Sequence, residues 1–502
     1  MSSASKVDKK VIESKEELVE WFRQGCTPHE KRLIGAEHEK PPFYPDGTPV
    51  PFEGTQGRKG VEDFINKMAA EKGWTPGETE HGVVVSLAKN NVSWTFEPGL
   101  QMETGGAPLK NCHQIAKETD ETITEAAAVC KELGFQMVAT GYQPVKHGAD
   151  MPFMPKTRYE GLFEWFEDKH FDKAVEVASC TSTVQVNLGF ESEEDMVKML
   201  RVSLALQPIA VALFANSPFA DGKPSGYQSY RSHQLFNNLG GRYGFMLPIA
   251  FEEDFGFEKF VDYAMNTMPL LGIYKGNIFV DTKGAMFKDF MEGNLEACPG
   301  QKATIGDWQN HLNTIWPEVR LRRFLEMRGT DVGPPEMIKA LPAFWAGILY
   351  DKESLDKAYE MVKDWSNEDR DYLRIMTPQH GLQTPFMNGT TTVQELAKNC
   401  LALSEAGLKR RAVLNDKGED ESVYLAPLKE IADTGKNWAQ RLLELYEGPW
   451  KKDISKLYDY MDYEKNPSIF AFRQPQPQPA ATQPAAANEN AKITPSKDFK
   501  AG

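Results

Sequence analysis

Four stretches of the chain set acids, amides and arginines two residues apart within otherwise apolar runs. The longest is Val83 to Thr104, VVVSLAKNNVSWTFEPGLQMET. Val83 to Leu87 and Val92 to Phe96 read as the arms of a hairpin, with Lys89-Asn90-Asn91 as its turn. Glu97, Gln101 and Glu103 follow. Ile34-Gly35-Ala36-Glu37-His38-Glu39 spaces Glu37 and Glu39 by two, and Phe324-Leu325-Glu326-Met327-Arg328 does the same for Glu326 and Arg328. In TSTVQVNLGF, Thr181 to Phe190, the residues Thr183, Gln185 and Asn187 share one parity, and Val184, Val186 and Leu188 the other. Side chains alternate across a strand, so each polar set can share a face. A solvated strand face would account for any one of these stretches. Their recurrence predicts an antiparallel sheet covered on one side and used on the other.

The chemistry follows from crowding. Two carboxylates about 5 Å apart repel by roughly 3 kcal/mol at an effective dielectric near 20. Converging acids therefore hold protons or hold a cation. The available ligands are all oxygen, which suits Mg²⁺ or Mn²⁺ better than zinc. Mg²⁺ bound by a few carboxylates usually completes its shell with water and phosphate oxygens. The residues thus predict a Mg–nucleotide site on an antiparallel sheet, with arginines for the phosphates.

Those strands need elements to hold them. Apolar periodicity and caps predict helices over 14–24, 61–72, 109–134, 193–215 and 258–268. Further helices are expected over Met337–Tyr350, Lys352–Trp365, Thr392–Ala406 and Leu425–Tyr446. The run LRVSLALQPIAVALFA reads as core, kinked at Pro208. A strand is expected over Met137–Tyr142. The irregular stretch His147 to Tyr159 ends in Lys156, Arg158 and Tyr159. Arg231-Ser232-His233 is expected in a loop between Gly226 and Gly240-Gly241, with Arg231 a candidate anion binder. His113 and His233 read as structural. There is no P-loop, no GxGxxG and no Ser/His/Asp constellation.

The expected organisation is a polar extension over 1–14, one catalytic domain over 15–472, and a disordered Pro/Gln/Ala tail over 473–502. A net charge of −15 argues against nucleic acid or an anionic membrane surface as partner. No apolar run is read as membrane-spanning. Six cysteines without a CxxC fit free thiols in a reducing cytoplasm. The N-terminus resembles neither a secretory signal nor a transit peptide. A cytoplasmic protein is therefore expected, a monomer or homodimer working on small molecules.

Seven motifs occur in a fixed order: IGAEHEK at 34–40, EPGLQMETGGAP at 97–108, MPKTRYE at 154–160, TVQVNLGF at 183–190, LALQPIAVALFANSPFADGKPSGYQSYRSH at 204–233, DWQNHLNTIWPEVRLRRFLEMRG at 307–329 and ALPAFWAGILYD at 340–351. Over roughly residues 15–465 the chain resembles the glutamate–cysteine ligases of plants and many proteobacteria. The resemblance implies an α+β fold: a curved antiparallel sheet with helices on its outer side and a glutamine-synthetase-like active-site funnel. It implies that ATP phosphorylates the γ-carboxylate of L-glutamate and that the amine of L-cysteine then attacks, giving γ-glutamylcysteine, the first step of glutathione biosynthesis. By motif position it places Glu37, Glu39, Glu97, Glu103 and Glu326 on metal ions. It places Arg328 on the transferred phosphoryl group, Arg231 on glutamate, and Arg158, Tyr159, Thr183, Gln185 and Asn187 around the same pocket. Departures are Leu100, where the family has glycine, and Leu271, where it has a tyrosine near the cysteine pocket. The cysteine pairs that form a redox switch in plant members fall on Ala116 with Lys339 and on Thr282 with Cys298. Two alternatives stand beside this reading: a γ-glutamyl ligase using another amine, and a non-catalytic homologue that binds glutamate or nucleotide.

Overall fold

The alternating stretches become strands of one sheet. In the computed structural model they are β1 (Ile34–Lys40), β2 (Thr75–Pro76), β3 (Ser86–Lys89), β4 (Val92–Phe96), β5 (Met102–Gly105), β6 (Thr183–Leu188), β7 (Val319–Leu321) and β8 (Leu325–Asp331). They pair antiparallel throughout, in the order β7-β8-β6-β1-β5-β4-β3-β2. The structure describes residues 8–465 apart from 56, 169–172, 239–241 and 276–277. These fall within one compact unit, Met1–Pro467. The tail expected over 473–502 lies outside the described residues, as do residues 1–7.

The central hairpin forms where the sequence placed it, with Ser86 opposite Thr95 and Leu87 opposite Trp94. Asn90 and Asn91 take φ of 53° and 66°, as a two-residue turn matched to strand twist requires. Val83–Val84 leaves this hairpin and pairs instead with Thr79–Glu80.

The helices that frame the sheet are α1 (Val61–Lys72), α2 (Cys112–Leu133), α3 (Thr157–Asp168), α4 (Ala174–Cys180), α5 (Glu193–Phe214), α6 (Tyr230–Asn238), α7 (Pro335–Leu349) and α8 (Asn367–His380). Ile34, Ala36, Val184, Val186, Leu188 and Met327 are buried on the covered face, against α2, α5 and α7. Phe64 of α1 meets Trp94 there at 5.8 Å. Each such aliphatic side chain contributes about 1.5–3 kcal/mol on burial. The same face hides a polar pair. Lys40 donates to His38 O at 2.9 Å and Thr104 Oγ1 at 3.0 Å, and burial pushes its ammonium pKa well down.

Four local expectations change. The helix expected from 109 starts at Cys112, because the Asn111 side chain accepts from Gln114 N–H and caps it. The strand expected over 137–142 is reduced to Gln136–Met137. The helix expected over 425–446 is two, Ala426–Thr434 and Trp438–Glu447. Gly435, at φ 69°, ends the first, and Asn437 caps the second. Arg231 lies in α6 and not in a loop, with Ser229 Oγ accepting from Ser232 N–H at the helix start. Helix α5 is long and apolar enough to cross a bilayer, yet most of it is buried inside the protein, so it serves as a core helix.

Candidate active site

Residues directly opposite in antiparallel strands share a face, and the register stacks the polar residues in rows. Glu39 lies opposite Glu103, which lies opposite Thr95. Glu37 lies opposite Gln185. Asn187 lies opposite Glu326, which lies opposite Arg320. Glu97 joins them through a tight turn: Leu100 N–H donates to Glu97 O at 2.8 Å, and Glu97 N–H to Gln101 O at 3.0 Å. The turn demands a left-handed residue, and Leu100 supplies it at φ 64° while fully buried. Burial of the leucine side chain offsets the roughly 1 kcal/mol or more that this backbone costs a non-glycine residue.

Glu39, Glu97 and Glu103 form an acidic end. Thr95 Oγ1 donates to Glu103 Oε2 at 2.7 Å, Tyr159 Oη to Glu97 Oε1 at 3.2 Å, and Thr183 N–H to Glu39 Oε2 at 2.8 Å. Burial lifts the Glu39 carboxyl to about 8, with Glu103 and Glu97 adding to the rise. Burial and Glu97 raise Glu103 as well. Glu37 is raised by burial, with Glu326 and Glu103 contributing, and receives Asn187 Nδ2–H at 2.6 Å.

The other end is rich in arginine. Arg320 grips Glu326 with two parallel bonds, Nε to Oε2 at 2.6 Å and Nη2 to Oε1 at 2.8 Å. Burial opposes ionisation of Glu326, but Arg320 and Arg328 outweigh it and bring the carboxyl down to about 2. Arg322 is pulled to about 10 by burial and by Arg320 beside it. Arg328 donates Nη2–H to Tyr243 Oη at 3.1 Å, while its Nε and Nη1 are buried without a hydrogen-bond partner. Arg328 stands at a β-bulge. The β6–β8 register shifts between Val184 and Val186, so Gln185 faces the Arg328–Gly329 pair.

The cleft between these ends encloses about 660 Å³, counting its open mouth. Glu39, Glu97, Glu103, Gln185, Arg320 and Arg328 line its polar floor. Leu162 and Phe166 of α3, Val177 of α4, Leu235 of α6 and Trp316 give it an apolar wall, and Leu271 packs in the same cluster.

Several expected residues serve from behind. Tyr159 and Asn187 hold Glu97 and Glu37. Thr183 Oγ1 donates to Thr330 O at 2.7 Å. Arg231 gives Nη1–H to Gly329 O at 3.0 Å and Nη2–H to Arg328 O at 3.2 Å, so its fork is on the bulge carbonyls. Arg158 is half-buried on the first turn of α3, with Nη2 3.5 Å from Asn313 O. Both Glu326 oxygens lie on Arg320. Gln101, spaced like the acids, bonds Gly99 N–H and the carbonyls of Ala178 and Thr181. Sequence reasoning missed Arg320 as a partner of Glu326, although a hairpin turn at 322–324 would have set the two opposite. It also missed Tyr243, which carries no sequence signal.

Among the described residues no three His, Cys, Asp or Glu side chains close on one point as a complete metal cage. The donor set still fits Mg²⁺, which is held by one or two carboxylates with water and phosphate completing its shell.

Residues 33–460 match the family model for glutamate–cysteine ligase family 2 (GCS2). The chain is 42% identical to chloroplastic glutamate–cysteine ligase B of Oryza sativa subsp. japonica over 90% of this chain and 87% of that one. It is 42% identical to the chloroplastic enzyme of Solanum lycopersicum, over 90% and 83% of the two chains, and 39% identical to that of Arabidopsis thaliana over the same shares. A solved glutamate–cysteine ligase from Francisella tularensis in complex with AMP is 14% identical. It covers 87% of this chain and 90% of that one at a TM-score of 0.48, too distant to bear on the site. These relatives overturn the expectation of a cytoplasmic protein, since the plant enzymes are chloroplastic. Scattered cysteines without a CxxC fit any reducing compartment, so cysteine usage could not tell one from another.

Proposed function

Because the chain belongs to glutamate–cysteine ligase family 2, we propose that this cleft uses ATP to join L-glutamate to L-cysteine, giving γ-glutamylcysteine, ADP and phosphate in the first step of glutathione biosynthesis. The observation that carries the assignment to this cleft is Arg328. Its Nε and Nη1 are buried without hydrogen-bond partners, Nε 3.7 Å from Glu326, in a cleft that Glu39, Glu97 and Glu103 also line. A guanidinium left this way calls for an anion, and the facing acids call for a cation that the anion can share.

A carboxylate resists attack by an amine until its oxygen becomes a good leaving group. Phosphorylation of the γ-carboxylate does this, and the amine then displaces phosphate to form the amide. Arg328 takes up charge on the transferred phosphoryl group, as a preorganised donor that needs no rearrangement. Arg320 and Arg158 extend the positive end along the phosphates. Mg²⁺, or Mn²⁺ in its place, would be held by one or two of the cleft acids Glu39, Glu97 and Glu103, with Glu37 behind them, and would neutralise phosphate oxygens. Glu326, engaged by Arg320, orients the arginines. Arg231 and Thr183 hold the bulge that aims Arg328. Gln185, whose Oε1 is buried without a partner, offers an acceptor to an amino-acid ammonium group. The apolar wall suits a short side chain such as that of cysteine. The sheet, its covering helices and this one-sided cleft form the funnel.

The test is ADP release with Mg²⁺, ATP and glutamate, with and without cysteine and with other amines. Cysteine-dependent turnover is expected. Equal turnover with unrelated amines would move the reading to another γ-glutamyl ligase. No turnover with any acceptor would favour a non-catalytic homologue.

A further inference from the structure

Tyr243 stands at the junction of the polar floor and the apolar wall, and it touches Arg328 in two ways. Its hydroxyl accepts the Arg328 Nη2–H at 3.1 Å, and the guanidinium carbon lies 5.1 Å from the centre of its ring. The ring itself is fixed. It stacks on Trp316 with centroids 5.5 Å apart and planes inclined by 27°. The backbone on either side is clamped to the same tryptophan: Trp316 N–H donates to Arg242 O at 3.0 Å, and Gly244 N–H to Trp316 O at 2.8 Å. Arg242, buried at 6% exposure, ties the segment down further through Pro269 O at 2.8 Å and Thr314 Oγ1 at 3.0 Å.

Arg328 has little else to hold its fork. Glu326 approaches Nε only to 3.7 Å, because both its oxygens are committed to Arg320. The donors left over, Nε and Nη1, are buried without a hydrogen-bond partner, and Arg328 lines the cleft. A guanidinium is planar, so fixing Nη2 fixes the direction of the other donors.

We propose that Tyr243 is the positioning residue that sets the orientation of Arg328 toward the transferred phosphoryl group, through its hydroxyl and not merely through its bulk. The inference rests on the reading of Arg328 as the phosphoryl-contact arginine. A misdirected donor costs transition-state stabilisation while leaving ground-state binding of substrates nearly intact.

The experiment compares Tyr243→Phe, Tyr243→Leu and Arg328→Ala with the wild-type enzyme. It reads the single-turnover rate of ADP formation with enzyme in excess, the KM for ATP and glutamate, and the Tm. Tyr243→Phe keeps the ring and the stack. It is expected to lower the single-turnover rate about 10-fold, the equivalent of one hydrogen bond lost in the transition state, with KM and Tm unchanged. Tyr243→Leu, which also loses the ring, is expected to lose more. A Tyr243→Phe rate equal to wild type while Arg328→Ala is inactive would overturn the inference and leave the function standing. A Tyr243→Phe loss that merely follows a lowered Tm would overturn it too. An active Arg328→Ala would remove the reading on which it rests.

Discussion

Arg328→Ala should lower ADP formation by about 10²–10³-fold, the usual cost of removing one preorganised charge-stabilising donor. Loss of KM alone, with turnover kept, would contradict that role. Glu39 gives a pH signature. Its carboxyl sits at about 8 in the folded protein against an ordinary 4.5, from burial and then from Glu103 and Glu97. The folded state therefore holds more protons than the unfolded one between those values, and stability is lost as pH rises from about 4.5 through 8. Glu39→Gln removes this titration. In metal-free buffer its Tm relative to wild type should improve steadily across that window, and a pH-independent difference would contradict the assignment. Arg320 and Glu326, at 3% and 2% side-chain exposure, make a stability test. Arg320→Leu strands a buried carboxylate and should cost about 3–5 kcal/mol in denaturant melts, while a double replacement with Glu326→Leu should recover much of it. At this scale the sequence was informative about which residues cluster and poor about which atoms are engaged. Parity put Gln101 beside the acids, but its amide is consumed by backbone groups. Motif position put Arg231 on glutamate, but its fork lies on the carbonyls of Arg328 and Gly329. Hydrogen-bond commitments of this kind depend on tertiary neighbours that spacing does not encode.

Helix α3 connects element to site. It carries Arg158, Tyr159, Leu162 and Phe166, and it is seated against Phe279 of the strand Ile278–Asp281. A Cβ on Gly161 would fall 2.0 Å from Phe279 Cδ1, and one on Gly272 would fall 2.2 Å from its Cζ. By helix propensity alone Gly161→Ala should stabilise by about 1 kcal/mol. The socket predicts the opposite: a several-fold loss of turnover with a lower Tm, partly restored when Phe279→Leu is added. A stabilised, fully active Gly161→Ala would show that the contact does not hold α3. The strands were legible because one face is apolar and the other polar, which imposes alternation, and Asn90-Asn91 announced the hairpin. Helix α6 was not, because Gly226 and Gly240-Gly241 around a nine-residue helix read as a loop. The capping Ser229 was the signal available.

For the whole molecule the sequence indicated an antiparallel sheet with one worked face, and the motif order pointed to the family. What it could not supply was strand order, since β8, far along the chain, inserts beside β6 by long-range pairing. The six cysteines are thiols, none joined in a disulfide. Oxidised and reduced enzyme should therefore differ little in turnover, and a several-fold loss under mild reductant would contradict this. Deleting residues 473–502 should leave turnover unchanged, and a folding defect would show that the tail packs. On the proposed function the cleft phosphorylates the γ-carboxylate and then passes the γ-glutamyl group to cysteine. The most direct measurement supplies L-glutamate carrying ¹⁸O in both γ-carboxylate oxygens, with Mg²⁺, ATP and cysteine, and weighs both products by mass spectrometry. One labelled oxygen is expected in the released phosphate and one retained in γ-glutamylcysteine. Unlabelled phosphate, with turnover proceeding, would contradict it.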